Sequence, residues 1–343
     1  MTAPEPPART AAIVYNPIKV NFEHLRAAIA VAEANANFAK TLWYATSLED
    51  AGQGVTAQAV ADGAHVVMAA GGDGTVRAVA EALRGTGVPI TLIPSGTGNL
   101  LARNLSLSLD KLEESVATAF TGVRREIDLG LVEIERSNGD RDRHVFVVMA
   151  GLGLDARMIA NTNPELKRRV GWLAYVDAIA RSLAGDNNVR LRFSLDGQAP
   201  RTLRVNTILI GNCGSLPPNI LLLPEAAVDD GLFDIVALRP DGFVGWVQIW
   251  IKIVWENGVL RRSSVGRKLM SFTREVRTLR YLKGREIVLR PEEPQEFQLD
   301  GDTFGQAKAV RLWVDPLALS VMIPSTEATR LPASDESRKA HAA

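Results

Sequence analysis

Short apolar runs alternate with longer amphipathic segments through the first third of the chain. Ala11–Tyr15 is apolar throughout and runs into Asn16-Pro17, which predicts a buried strand followed by a loop. Residues 22–39 have helical character, 42–46 read as a short strand and 56–62 as a helix. A run of buried-strand character begins at Val66 and breaks at Gly71, after which Val76, Val79, Ala80 and Leu83 recur at helical spacing. The next strand, 89–93, ends in Pro94-Ser95-Gly96-Thr97-Gly98-Asn99, and 109–120 form an amphipathic helix. Strands alternating with helices predict an α/β domain with a doubly wound, mostly parallel sheet, and ligands at the loops leaving its strands.

Around Glu126 the texture changes. Strand-like runs at 127–134, 144–149, 189–195, 202–211, 232–238, 278–282, 286–289 and 310–314 are separated by turn signals such as Asn138-Gly139-Asp140 and Asp196-Gly197, and 321–323 add a last one. Such spacing predicts a β-rich, antiparallel second domain, with the functional cleft between the halves. The expected organisation is a flexible N-terminus over 1–10, an α/β domain over 11–126, and a β-rich domain over 127–323 whose last strand is free to return to the first. A disordered tail over 324–343 follows.

The segment that interrupts the strand at Val66 carries the chemistry. Gly71, Gly72 and Gly74 surround Asp73 and precede Thr75, so backbone N–H groups can converge on an anion without a Cβ in the way. A helix N-terminus following directly adds to such a site. Asp73 would repel phosphates unless a metal ion or a hydrogen-bond network takes up its charge, so the loop points to Mg²⁺ as well as nucleotide. GxxxxGK[ST] is absent, and the loop is not GxGxxG. Gly151, Gly153 and Ala156 do match GxGxxA, but in mid-chain, where a close-packed turn is the better reading.

Composition narrows the classes. The 343 residues suffice for two domains, with 46% hydrophobic and 23% charged residues as in ordinary globular chains. Lys plus Arg equals Asp plus Glu at 39 each, so no global field favours nucleic acid. The single cysteine, Cys213, excludes an internal disulfide, and four scattered histidines offer no metal cluster. A reducing cytosol fits. The N-terminus reads as no secretory signal, and no apolar run reaches the ~18 residues of a spanning helix.

Further aspartates lie within two residues of a glycine: Asp128 in REIDLG, Asp230 in DDGLFD, and Asp300 and Asp302 in LDGD. Each Asp-Gly alone reads as a turn. In order, however, YNP (Tyr15 to Pro17), GGDGT (Gly71 to Thr75), PSGTGN (Pro94 to Asn99), IDLG, AGLGLDA, DDGLFD and LDGD resemble the diacylglycerol kinase catalytic family, in particular its soluble bacterial lipid kinases. The resemblance covers about residues 11 to 323. It implies an NAD kinase/diacylglycerol kinase-like fold, in which a nucleotide-binding α/β domain precedes a β-rich lipid-binding domain.

The resemblance further implies residue roles. Asn16, Thr46, Gly71, Gly72, Asp73, Gly74, Thr75, Arg77 and Thr97 would contact ATP. Asp302 would accept the proton of the lipid hydroxyl, at a position where relatives have Glu or Asp. Asp230 would hold a structural Mg²⁺ together with the carbonyls of Val228 and Leu232, and Asp73 and Asp128 would link that ion to the nucleotide through water. The implied activity is ATP-dependent phosphorylation of a lipid hydroxyl, with diacylglycerol the default acceptor. NAD kinase and a non-catalytic nucleotide or lipid sensor are the alternatives. The implied setting is a cytoplasmic enzyme associated peripherally with the inner face of the membrane, with a lipid substrate, no nucleic acid partner and room for a homodimer.

Two features depart from or extend the pattern. Many relatives continue Asn-Pro with Ser-Gly, whereas Ile18, Lys19 and Val20 follow here, leaving Lys19 to supply a charge. FVGWVQIWIKIVW, 243–255, is apolar around most of a helix, with Gln248 and Lys252 forming a narrow polar stripe. It reads either as a core helix or as one facing the acyl chains or the membrane interface through Trp246, Trp250 and Trp255. Behind it Arg261, Arg262, Arg267 and Lys268 read either as a solvated loop or as contacts to anionic headgroups.

Overall fold

A computed structural model describes residues 9–36, 38–153, 189–216, 220–221, 223, 226–239 and 279–325. The segment 243–255, the basic residues 261–268, Ala156 and the tail beyond 325 lie outside the described residues. The chain forms two compact units: Met1–Leu129 with Asp315–Ala343, and Gly130–Val314.

The first unit opens with β1 (Ala11–Tyr15), α1 (Phe22–Ala36), β2 (Leu42–Ala45), α2 (Gln53–Ala61), β3 (Val66–Gly71), α3 (Asp73–Leu83) and β4 (Ile90–Pro94). The short α4 (Leu100–Asn104), α5 (Leu112–Thr121) and β5 (Val123–Glu135) follow. In the parallel sheet β2 neighbours β1, β1 neighbours β3, and β3 neighbours β4. Every residue of β3 is buried, as expected of a parallel strand covered on both faces. Alternate side chains divide between those faces. Ala11, Ile13, Met68, Ala70 and Ile93 meet Leu25 and Ile29 of α1 and Val116, Ala119 and Phe120 of α5. On the other face Val14 approaches Gly52, beside Ala78 and Val79 of α3.

Because β2 and β3 flank β1, connections leave it in opposite directions. The loops after β1 and β3 therefore open at a topological switch point, where ligands of such sheets bind.

The second unit contains β6 (Arg141–Phe146), β7 (Met149–Leu152), β8 (Val189–Leu195), β9 (Arg201–Val205), β10 (Thr207–Gly211), a small ribbon of β11 (Ser215–Leu216) and β12 (Ile220–Leu221), and β13 (Phe233–Leu238). After these come β14 (Leu279–Gly284), β15 (Glu286–Pro291), β16 (Gln295–Leu299), β17 (Asp302–Ala307) and β18 (Ala309–Ile323). One sheet runs β18-β15-β8-β9 with the β5-β6 hairpin beside β18, the other β14-β13-β10-β7-β16-β17. Their inner faces share one core, in which Phe146 and Phe233 stack with ring centroids 5.4 Å apart. Gly130 is required there, since a Cβ on it would lie 2.2 Å from the Phe146 ring. The C-terminal end of β18 belongs to the first unit, pairing parallel to β4 through Val321 and Ile90. The α/β plus β-rich fold class expected from the sequence is the one observed.

Local differences have identifiable causes. α3 starts at Asp73 rather than Val76, so Asp73, Gly74 and Thr75 form its first turn. The run 144–149 divides into β6 and β7, because the Asp300 carboxylate takes the N–H groups of Val147, Val148 and Met149. The run 202–211 divides at Asn206, whose N–H turns to the Leu238 carbonyl. The two strands read at 310–314 and 321–323 are one, β18, despite Pro316 within it. β16 and β17 escape the hydrophobic pattern because QEFQL and DTFGQA are largely polar.

Candidate functional site

The site is built at the switch point of the first unit from four loops. After β1, the Asn16 N–H donates to the Ala70 carbonyl at 2.9 Å, and its amide oxygen accepts the Ile18 N–H at 3.0 Å. This small turn returns Lys19 toward β3. After β2, Thr46 is buried and donates its N–H to the Tyr15 carbonyl at 2.9 Å.

After β3, Gly71 and Gly72 lead into α3. Gly72 is the N-cap residue in extended conformation, and no side chain caps the helix. The positive end of an eleven-residue helix is thus presented without a side-chain cap, with Asp73 in its first turn. The two glycines face different neighbours. A Cβ on Gly71 would lie 2.6 Å from Thr75 in the first turn, whereas one on Gly72 would meet the Lys19 Nζ at 2.7 Å. Thr75 and Arg77 are both buried on α3.

After β4, Gly96 approaches so closely that its Cβ would lie 2.7 Å from the Gly72 Cα. Asn99, at φ 49°, holds this loop by accepting the Gly96 N–H at 3.1 Å and donating to its carbonyl at 2.9 Å. Thr97 stands exposed at the tip. Asp73 ties the two glycine loops together: its carboxylate accepts the Leu100 N–H at 2.6 Å, and a Cβ on Gly98 would lie 2.3 Å from it. The Asp73 carboxylate thus has a backbone donor that takes up part of its charge.

Asp128, on β5, is wholly buried and accepts the Leu317 N–H at 2.8 Å. Leu317 follows Pro316 and has φ 53°, a strained conformation for leucine that this bond helps to hold.

The remaining candidates lie in the second unit. LDGD forms the turn between β16 and β17, with Asp300 and Gly301 at φ 49° and 91° and Leu299 paired with Asp302. Two positive φ angles make this the favoured hairpin turn for Asp-Gly. The plain turn reading thus holds for the backbone. The carboxylate of Asp300 adds more: only 3% exposed, it accepts the N–H groups of Val147, Val148 and Met149 at 2.9, 2.8 and 3.0 Å. Asn212 and Cys213 bind the carbonyls of the same two valines, fixing the strand around the turn. Asp302 is exposed at the start of β17. This anchoring role of Asp300 was not read from its motif.

Asp230 lies half-buried in the turn Val228–Leu232 and accepts the Leu232 N–H at 3.0 Å. Burial raises its pKa above the usual carboxylate value; the Leu232 hydrogen bond and Lys283 oppose this, and Asp229 adds to it. Val228 is buried, and Gly231, at φ 72°, lets the turn close. Among the described residues no three His, Cys, Asp or Glu side chains converge as a metal cluster, and no helix is long and apolar enough to cross a membrane.

Comparison with known proteins bears on both units. Residues 11–132 match the diacylglycerol kinase catalytic domain, and 147–250 the YegS C-terminal NAD kinase beta sandwich-like domain. Over 231 residues the chain is 34% identical to a Pseudomonas aeruginosa protein named "Probable lipid kinase YegS-like", covering 65% of this chain and 70% of that one. It is 31% identical over 185 residues to a diacylglycerol kinase of Mycobacterium tuberculosis, covering 54% of this chain and 58% of that one. The chain thus spans under two thirds of the mycobacterial relative. A diacylglycerol kinase structure from Bacillus anthracis superposes with a TM-score of 0.61 at 16% identity, covering 93% of this chain and 97% of that one, a likeness of fold. With domain models matching both halves and a relative matched over most of its length, the chain belongs to the diacylglycerol kinase family, alongside YegS-like lipid kinases.

Proposed function

We propose that the chain is an ATP-dependent lipid kinase that transfers the γ-phosphate to a lipid hydroxyl, with diacylglycerol as the default acceptor. The observation that carries this reading is the close approach of Gly72 and Gly96 over the uncapped start of α3. Gly72 and Gly96 carry no side chain where these loops meet, and backbone N–H groups and a helix dipole are what a polyphosphate needs. Membership of a lipid kinase family supplies the reaction class.

In this reading Gly71, Gly72, Gly74, Thr75 and Thr97 hold the phosphates, with Arg77, Asn16 and Thr46 completing the nucleotide contacts. Asp73 acts by positioning, since its carboxylate holds the second glycine loop against the first. Phosphoryl transfer asks mainly for alignment and charge compensation. The lipid hydroxyl forms its bond to the γ-phosphorus as the bond to the β,γ-bridging oxygen breaks, ADP departs, and Asp302 accepts the hydroxyl proton. The rigid turn set by Asp300 restricts where that carboxylate can reach.

The turn Val228–Leu232 suits Mg²⁺, because the Asp230 carboxylate and the carbonyls of Val228 and Leu232 are hard oxygen donors. Burial disfavours the ionised form of Asp230, and a bound cation would offset that cost. Mg²⁺ there would supply positive charge that stabilises the ionised Asp230 carboxylate. A bilayer acceptor and ATP as donor place the enzyme in the cytoplasm, at the inner membrane surface.

The test is to incubate the full chain with γ-labelled ATP, Mg²⁺ and vesicles containing diacylglycerol, with NAD⁺ in a parallel tube. Label in the extracted lipid is expected. Label only in NADP, or only in inorganic phosphate, would overturn the reading.

A further inference from the structure

We infer that Lys19 is a phosphate-binding residue of this site, replacing with a side-chain ammonium what a Ser-Gly loop would provide from its backbone. The inference rests on the nucleotide reading above and adds a residue to it.

Lys19 is exposed on the loop after β1, yet its Nζ lies so close to Gly72 that a Cβ there would be 2.7 Å away. Gly72 is also the uncapped N-cap residue of α3. A cation held against the positive end of a helix is an unfavourable pairing by itself. Among the described residues no carboxylate forms an ion pair with Lys19, and its neighbour Asp110 accepts a hydrogen bond from the Ser108 hydroxyl. Two positive features facing one point are stabilised together by an anion bound beside them, and neither Gly72 nor Gly96 carries a side chain to bar its approach. Asp73 in the first turn supplies one negative charge, and the multiply charged phosphates of ATP suit the remaining positive features.

Lys19 also lines a cavity of about 220 Å³ with Val20, Leu25, Pro94, Ser95 and Lys111. A methyl group at Gly72 would therefore displace a flexible side chain that has space to move, rather than backbone. Gly72 has φ −92°, which alanine adopts freely. Gly72→Ala thus perturbs the ammonium while leaving the fold intact.

The test measures binding of ATP, ADP and adenosine to the full chain in the absence of lipid, by competition against a fluorescent ATP analogue. Lys19→Met is expected to weaken ATP by about 10- to 100-fold, the range of a lost hydrogen bond to a charged group, and to leave adenosine unchanged. Lys19→Arg should recover most of the ATP affinity. Gly72→Ala should weaken ATP too, and the double variant should be no weaker than the worse single one. ATP binding within twofold of wild type in Lys19→Met would overturn the inference and leave the kinase reading standing. So would equal weakening of ATP and adenosine, which marks a structural role. A wild-type chain that binds no nucleotide would overturn both.

Discussion

Replacing Asp300 removes a buried carboxylate that three backbone donors share. The Val148 and Met149 N–H groups reach Oδ1 at 2.8 and 3.0 Å, and the Val147 N–H reaches Oδ2 at 2.9 Å. In Asp300→Ala all three donors lose their acceptor in a region that water barely enters, each at a cost of roughly 1–3 kcal/mol. Relaxation of the β6–β7 junction returns part of that, so a net loss of about 3–5 kcal/mol is expected. At roughly 2–4 °C per kcal/mol for a domain of this size, melting of the second unit should fall by about 6–20 °C. Asp300→Asn keeps one oxygen for the pair at Val148 and Met149 but turns an amide donor toward Val147, so it should lose only about 1–3 kcal/mol. Differential scanning calorimetry of both variants resolves the two values. An alanine variant melting within about 2 °C of wild type would refute this account, as would an asparagine variant as damaged as alanine.

Two further outcomes are expected. Gly96→Ala places a Cβ 2.7 Å from the Gly72 Cα, where only backbone can yield, so it should lose about 1–3 kcal/mol of stability and at least tenfold in ATP affinity, checked by thermal melting and nucleotide titration. For Asp230 the folded pKa is raised, so its contribution to stability is full below the unfolded value and is lost as pH rises through the folded one. Millimolar Mg²⁺ should accordingly raise the melting temperature more at about pH 7.5 than at about pH 4.5, where the carboxyl is partly protonated. The same gain in Asp230→Asn would show that Mg²⁺ acts elsewhere.

What the sequence made legible follows from the range of the forces involved. Gly71 and Gly72 could be read because an apolar strand and a periodic helix bracket them within a dozen residues. The partner of Asp73 could not: it is the N–H of Leu100, 27 residues on, at the start of a helix of five residues that has no period to detect. Asp300 and Gly301 announced a turn through local conformational preference, but the carboxylate's partners lie about 150 residues earlier, and no local pattern reports such a contact. β18 looked like two strands because Pro316 removes a donor, and pairing with β5 and the bond from the Leu317 N–H to Asp128 carry the chain through. Lys19 was visible as a departure from Ser-Gly, whereas its placement on Gly72 depends on how two loops fold beside each other.

In the proposed reading this chain moves phosphate from ATP to a lipid hydroxyl with Asp302 accepting the proton. The most direct test compares wild type and Asp302→Asn for label transferred from γ-labelled ATP to diacylglycerol, together with nucleotide affinity measured on the same samples. Asp302→Asn is expected to bind ATP as wild type does while lipid phosphorylation falls by about 10²-fold or more, the scale of a lost general base. Full transfer by the variant, with ATP affinity unchanged, would contradict the account.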